Sequence, residues 1–165
     1  MKKQRDYVIK LAGLSTGSHR FDFVIDDNFF AKREKSRAKE GKINLTVTLL
    51  KQDRIMVIDF AYEGWLRLEC DRCLDEFDFP IVGSNKILVK PSGHHDEETD
   101  EIIIIDNGEP ELDLSQQIFE HIELKIPLRT VHPDDADENS LCNKETLRIL
   151  NKHLVKKEEE KETSD

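Results

Sequence analysis

The chain has 165 residues, of which 37% are apolar and 36% charged, and its formal net charge is −10. That length suits one domain with its own core, and the apolar content excludes a chain disordered throughout. The acidic balance argues against a general nucleic-acid binder, which needs clustered Lys and Arg, and no apolar run approaches the roughly 18 residues of a membrane span.

The opening "MKKQRDYVIKLAG" is basic but lacks an apolar signal core, so the protein reads as cytoplasmic. Strand patterns follow. Phe21, Phe23 and Ile25 alternate with polar neighbours, and Ile43, Leu45, Val47 and Leu49 share one face of "KINLTVTLL". Between them "AKREKSRAKEGK" (Ala31 to Lys42) holds six bases and two acids, with good helix formers that predict a short helix or a crossover. "RIMVIDFAY" is a more continuous apolar run. "YEGW" offers a turn in which Gly64 is free to take positive φ. Leu66, Leu68 and Cys70 then alternate with Arg67 and Glu69; Phe77, Phe79 and Ile81 do the same beyond Cys73. "NKILVKP" reads as a further strand stopped by Pro91, and "IIII" (Ile102 to Ile105) as a buried one.

The clearest helix follows "DNGEPE". Asp113 is its expected cap, Gln116 completes a capping-box-like pair, and Leu114, Ile118, Phe119 and Ile122 form the apolar stripe. Pro127 limits it. "KETLRILNKHLVKK" is a second helix with Leu147, Leu150 and Leu154 on one side, and "EEEKETSD" is a charged, disordered tail. The expected fold class is α+β: a curved antiparallel sheet or partial barrel of about six or seven strands, with two helices toward the C-terminus. Residues 1–155 read as a single domain and 156–165 as the tail.

Charge is uneven along the chain. His94 to Glu138 carries 15 acids and 2 bases, a stretch that suits a basic protein partner better than phosphate. Any direct RNA contact falls to Lys32, Arg33, Lys35, Arg37, Lys39 and Lys42. Only Phe29 and Phe30 lie close enough in sequence to stack on bases, and both equally suit the core.

Three cysteines without a signal sequence argue against a disulfide framework. Cys70 and Cys73 form a C-x-x-C turn, whose two sulfurs can chelate one Zn²⁺. Cys142 is the remaining thiol and His132, in the same loop, the best fourth ligand. His153 sits on a helix, and His94 and His95 in an acidic loop, so they suit it less. Two other readings stay open. Cys70 continues the Leu66/Leu68 face and could be a small buried residue. Cys70 and Cys73 could form a reversible disulfide, although strands rather than a helix N-terminus flank them. No Gly-rich phosphate loop, nucleophile elbow or helical histidine pair is present, so no enzyme is expected.

"CDRCLDEFDFPI", followed by "LDLSQQIFEHIELKIPLRTVHP", resembles the YceD family, the large ribosomal RNA subunit accumulation proteins. The resemblance spans Gly41 to Cys142, most specifically at Cys70, Arg72, Cys73 and Leu74, then Asp113, Leu114, Glu120, Pro127, Val131 and His132. It implies a non-enzymatic ribosome-biogenesis factor that supports accumulation of large-subunit ribosomal RNA, acting through that RNA or a basic ribosomal protein. Many members carry a second C-x-x-C after the Pro exit. This chain departs from that pattern, with His132 and only Cys142 there; because some members also have His at the first of these places, a mixed Cys/His zinc site stays one of the open readings. The alternative is a zinc-stabilised protein-interaction module without RNA contact.

Overall fold

The computed structural model describes residues 7–92, 99, 101–133 and 141–162, with side chains through His153. The elements in chain order are β1 (Val8–Lys10), β2 (Gly17–Ile25), α1 (Asp27–Ala31), β3 (Glu40–Lys51), β4 (Met56–Glu69), β5 (Glu76–Pro91), β6 (Ile102–Ile105), β7 (Glu111–Asp113), α2 (Ser115–Lys125) and α3 (Lys144–Glu162). Five strands form one open sheet in the order β2-β3-β4-β5-β6, and β1 pairs with β7 in a second, two-stranded sheet. The class is α+β, as the alternation indicated. No helix among the described residues is long and apolar enough to cross a membrane.

The sheet is mixed rather than wholly antiparallel. β2 and β3 are antiparallel, with Phe23 opposite Leu45 and Ile25 opposite Ile43. β5 and β6 are parallel, from Leu88 opposite Ile102 to Pro91 opposite Ile105. Parallel neighbours need a crossover instead of a tight turn. Period-two alternation marks a strand but not its direction, so this pairing was hidden. The tetra-isoleucine strand is an edge, and only Ile103 is buried.

Gly64 does not turn the chain; it lies inside the long β4. A Cβ there would strike the Lys42 carbonyl oxygen and come within 2.7 Å of Ile43 Cα, so the glycine permits close approach of β3. The segments "FDFPI" and "NKILVKP" are likewise one strand, β5. A third helix precedes the basic segment. Asp26 Oδ1 accepts from Asn28 N at 3.1 Å, capping α1, whose Phe29 and Phe30 are buried.

The chain divides into two compact units, one of Met1–Leu66 with Pro80–Ile126, the other of Arg67–Phe79 with Pro127–Asp165. In the first, α2 lays Ile118 and Ile122 against Ile25, Leu45, Phe60 and Tyr62. The expected capping box is absent. Asp113 Oδ1 accepts from Ser115 N at 2.8 Å, but Gln116 reaches forward to Glu120 at 2.6 Å. In the second unit, α3 stays helical to Glu162, beyond the Lys157 end read from sequence. Its described side chains are mostly exposed, among them Ile149 and Leu150.

Candidate metal centre

The site grows from the turn between β4 and β5. Cys70 N donates to Asp75 O at 3.0 Å, and Leu74 N donates to Cys70 O at 2.9 Å. Closing so tightly puts Leu74 at φ 65°, a left-handed conformation that costs a non-glycine residue roughly 1 kcal/mol. Leu74 points to solvent, while Cys70 and Cys73 are buried. The turn therefore turns both sulfurs inward.

The loop after Pro127 is fastened to this turn by Thr130, which is 2% exposed. Its N–H donates to Asp71 Oδ2 at 2.6 Å, and its hydroxyl bonds Asp71 Oδ2 and Glu69 O at 3.1 Å each. Asp71 N returns a 2.7 Å bond to Thr130 O. Two residues on, the His132 ring lies 4.6 Å from the Phe77 ring. Cys142 stands just before α3. Its neighbour Asn143 caps that helix, Oδ1 accepting from Glu145 N at 3.0 Å and Thr146 N at 3.3 Å. Asn143 Nδ2 also donates to Asp75 at 3.1 Å.

These supports bring four groups together. Cys70 Sγ is 3.7 Å from Cys142 Sγ. His132 Nδ1 is 3.4 Å from Cys73 Sγ and 3.7 Å from Cys142 Sγ. All four ligand atoms lie within 4.8 Å of one another. A tetrahedral zinc with ordinary bond lengths spaces its sulfurs by roughly 3.8 Å and a sulfur–nitrogen pair by roughly 3.6 Å. The donor set thus fits a tetrahedral ion in chemistry, and the three spacings given above match one. All three cysteines are free thiols in this structure.

The thiols are unlike. Burial pushes Cys70 up, but hydrogen bonds from the backbone of Cys73, Arg72 and His132 and from the His132 ring outweigh it and bring the thiol down to about 6. Burial raises Cys73, and the thiols of Cys70 and Cys142 add to that, against backbone donors at Asn143 and Asp75. A metal takes thiolates, so a thiol already inclined to lose its proton favours binding.

The spacing argument had singled out these same four residues. His153 lies exposed on α3, and His94 and His95 lie outside the described residues. Asp71, Thr130 and Asn143 were missed. The signal for Asn143 was present, an asparagine just before a helical run. The signal for the Asp71–Thr130 bond was not, since it joins segments distant in sequence.

The basic segment lies in the other unit. Lys32, Lys35, Arg37, Lys39 and Lys42 are exposed. Arg33 is turned inward, its guanidinium 4.6 Å from the Phe29 ring centre and 4.7 Å from that of Phe119. Phe29 and Phe30 are core residues and offer no stacking platform.

Fold and site together define a small α+β protein with a Cys₃His cluster able to hold a metal ion. The chain belongs to the YceD family: the model for large ribosomal RNA subunit accumulation protein YceD matches residues 58–165, all four cluster residues included. Membership ties it to accumulation of large-subunit ribosomal RNA. No curated protein and no solved structure matches the chain.

Proposed function

We propose that the protein is a non-enzymatic, cytoplasmic factor of ribosome biogenesis that supports accumulation of large-subunit ribosomal RNA, with Cys70, Cys73, His132 and Cys142 as a structural zinc site. The observation that carries this reading is the closed donor set. Three thiols and an imidazole fill all four tetrahedral positions, whereas catalytic zinc keeps one position for water or substrate. Zinc in such a site fastens the later loop and the start of α3 to the C-x-x-C turn. Its contribution is to folding. The factor then works by contact, with large-subunit ribosomal RNA or with a basic ribosomal protein. The acids of His94 to Glu138 favour the latter along that stretch.

The test is affinity capture from a ribosome-rich lysate at low and high salt, reading both RNA and protein. Salt-sensitive recovery of large-subunit RNA or its proteins is expected. Recovery of neither, at any salt, rejects the reading. Recovery of protein partners alone, unaffected by ribonuclease, favours a zinc-stabilised protein-interaction module.

A further inference from the structure

The basic segment before β3 is built as a fixed platform. Its residues alternate between inward anchors and outward lysines. Arg33 Nη2 donates to Ser115 O at 2.7 Å and Nη1 to Gln116 Oε1 at 3.4 Å, at the start of α2. Ser36 Oγ donates to Glu123 Oε1 at 2.7 Å, and Arg37 N donates to the same oxygen at 3.3 Å, in the last turn of α2. Ala38 is buried, and Gly41 N donates to Asp27 Oδ1 at 2.8 Å. Both ends of α2 therefore hold the segment.

Lys32, Lys35, Lys39 and Lys42 face solvent and have no ion-pair partner among the described residues. Unpaired lysines on an anchored backbone suit a polyanion, because the ordering that binding demands is largely done in advance. The segment also precedes residues 58–165, where the family match lies.

We propose that Lys32, Lys35, Lys39 and Lys42 bind the phosphate backbone of RNA, and that Glu123 and Arg33 are positioning residues that hold this platform. The inference rests on the ribosome-factor reading and names the RNA-facing part of it. With Phe29 and Phe30 buried, the segment's own aromatic residues offer no face to bases, so recognition is of phosphate and indifferent to sequence.

The test uses the full zinc-loaded chain and a fluorescent single-stranded oligouridylate of about 20 nucleotides, long enough to cross the platform. Four phosphate contacts predict a slope of about −3 for log affinity against log salt, and replacing all four lysines by alanine should weaken binding about tenfold or more and flatten that slope. An unchanged slope in that variant, or no oligouridylate binding by the wild type at low salt, overturns the platform. The ribosome-factor reading is then judged separately by lysate capture, where a basic ribosomal protein would be the partner.

The positioning role makes a prediction opposite to that of simple charge. Glu123→Gln keeps the Oε1 acceptor and removes a negative charge; Glu123→Ala removes both. Positioning requires Glu123→Gln to bind at least as well as wild type, and Glu123→Ala to bind about threefold worse despite its lost negative charge. Arg33→Lys, which keeps its charge but loses the fork between two rings, should fall with Glu123→Ala. Equal gains in both Glu123 variants overturn the positioning role. So does wild-type affinity in Arg33→Lys. Circular dichroism and melting of each variant separate these outcomes from unfolding.

Discussion

Thr130 gives both its N–H and its hydroxyl to one carboxylate oxygen of Asp71, the residue that follows the first cysteine of the C-x-x-C turn. The buried threonine thereby fixes the loop that carries His132. Thr130→Val keeps the N–H and the shape but loses bonds to Asp71 and Glu69. It should cost about 1–2 kcal/mol of stability, with Asp71→Ala costing more because the Thr130 N–H is left unpaired. Loosening the loop that carries His132 should also weaken metal binding. Chemical denaturation and zinc competition with a chromophoric chelator measure the two effects. Unaltered zinc affinity in both variants would show that the bond serves packing alone.

A second prediction concerns the four ligands as a set. Protein purified without chelator should carry one zinc per chain. Chelation should lower the melting temperature, since an ion bound only by the folded state stabilises it by mass action. Cys142→Ser and Cys73→Ser should each lose most of the bound zinc. Cobalt(II) substitution should give a tetrahedral spectrum with thiolate charge-transfer bands in the wild type and a weakened one in either variant. Clearly substoichiometric zinc, with melting indifferent to chelator, would remove the metal from the picture.

The four residues of the Cys/His cluster were legible in sequence because their chemistry is scarce: three thiols, with one histidine in the same loop as Cys142. Strands were legible where one face is buried, as at Ile43, Leu45, Val47 and Leu49. What stayed hidden was set by contacts between distant segments. Gly64 looks like a turn residue because glycine tolerates positive φ, yet β3 passing close by explains it. Helix-forming residues in the basic segment point to a helix there, but the cap at Asp26 and the burial of Phe29 and Phe30 set it earlier. Burial of two aromatic rings outweighs the few tenths of a kcal/mol that separate most residues in helix propensity. Likewise Arg33 reads as one base among six, and only packing reveals it between Phe29 and Phe119.

A third prediction follows from His121 in the first unit. Burial lowers its pKa below the ordinary 6.5, against the opposing charge of Glu120, and its ring lies 5.1 Å from that of Phe60. Its Nδ1 is buried without a hydrogen-bond partner among the described residues. Because the folded pKa is depressed, the unfolded chain binds the proton more readily. The stability at stake is fully present above 6.5 and is lost as pH falls toward the folded value. Urea midpoints taken from about pH 7 to about pH 5 should drop less in His121→Leu than in wild type. Parallel curves for the two proteins would mean that His121 titrates alike in both states.

The last prediction tests the crossing of β3 and β4 at Gly64. A methyl group there would meet the Lys42 carbonyl oxygen, and would lie 2.7 Å from Ile43 Cα and 2.9 Å from the Lys42 carbonyl carbon. Each of these is backbone, so no side chain can swing aside. Ile43 is fully buried, opposite Ile25 of β2, so pushing β3 away also opens its packing against β2. Gly64→Ala should therefore destabilise the fold by about 1–3 kcal/mol or more, the cost of overpacking a filled interior. The contrast is Gly13→Ala. That glycine has φ 77° and open space around its Cβ position, so the penalty there is conformational only. Denaturant midpoints of the two variants should differ clearly, with Gly64→Ala the lower. A Gly64→Ala protein as stable as wild type would mean that the strands do not approach this closely in solution.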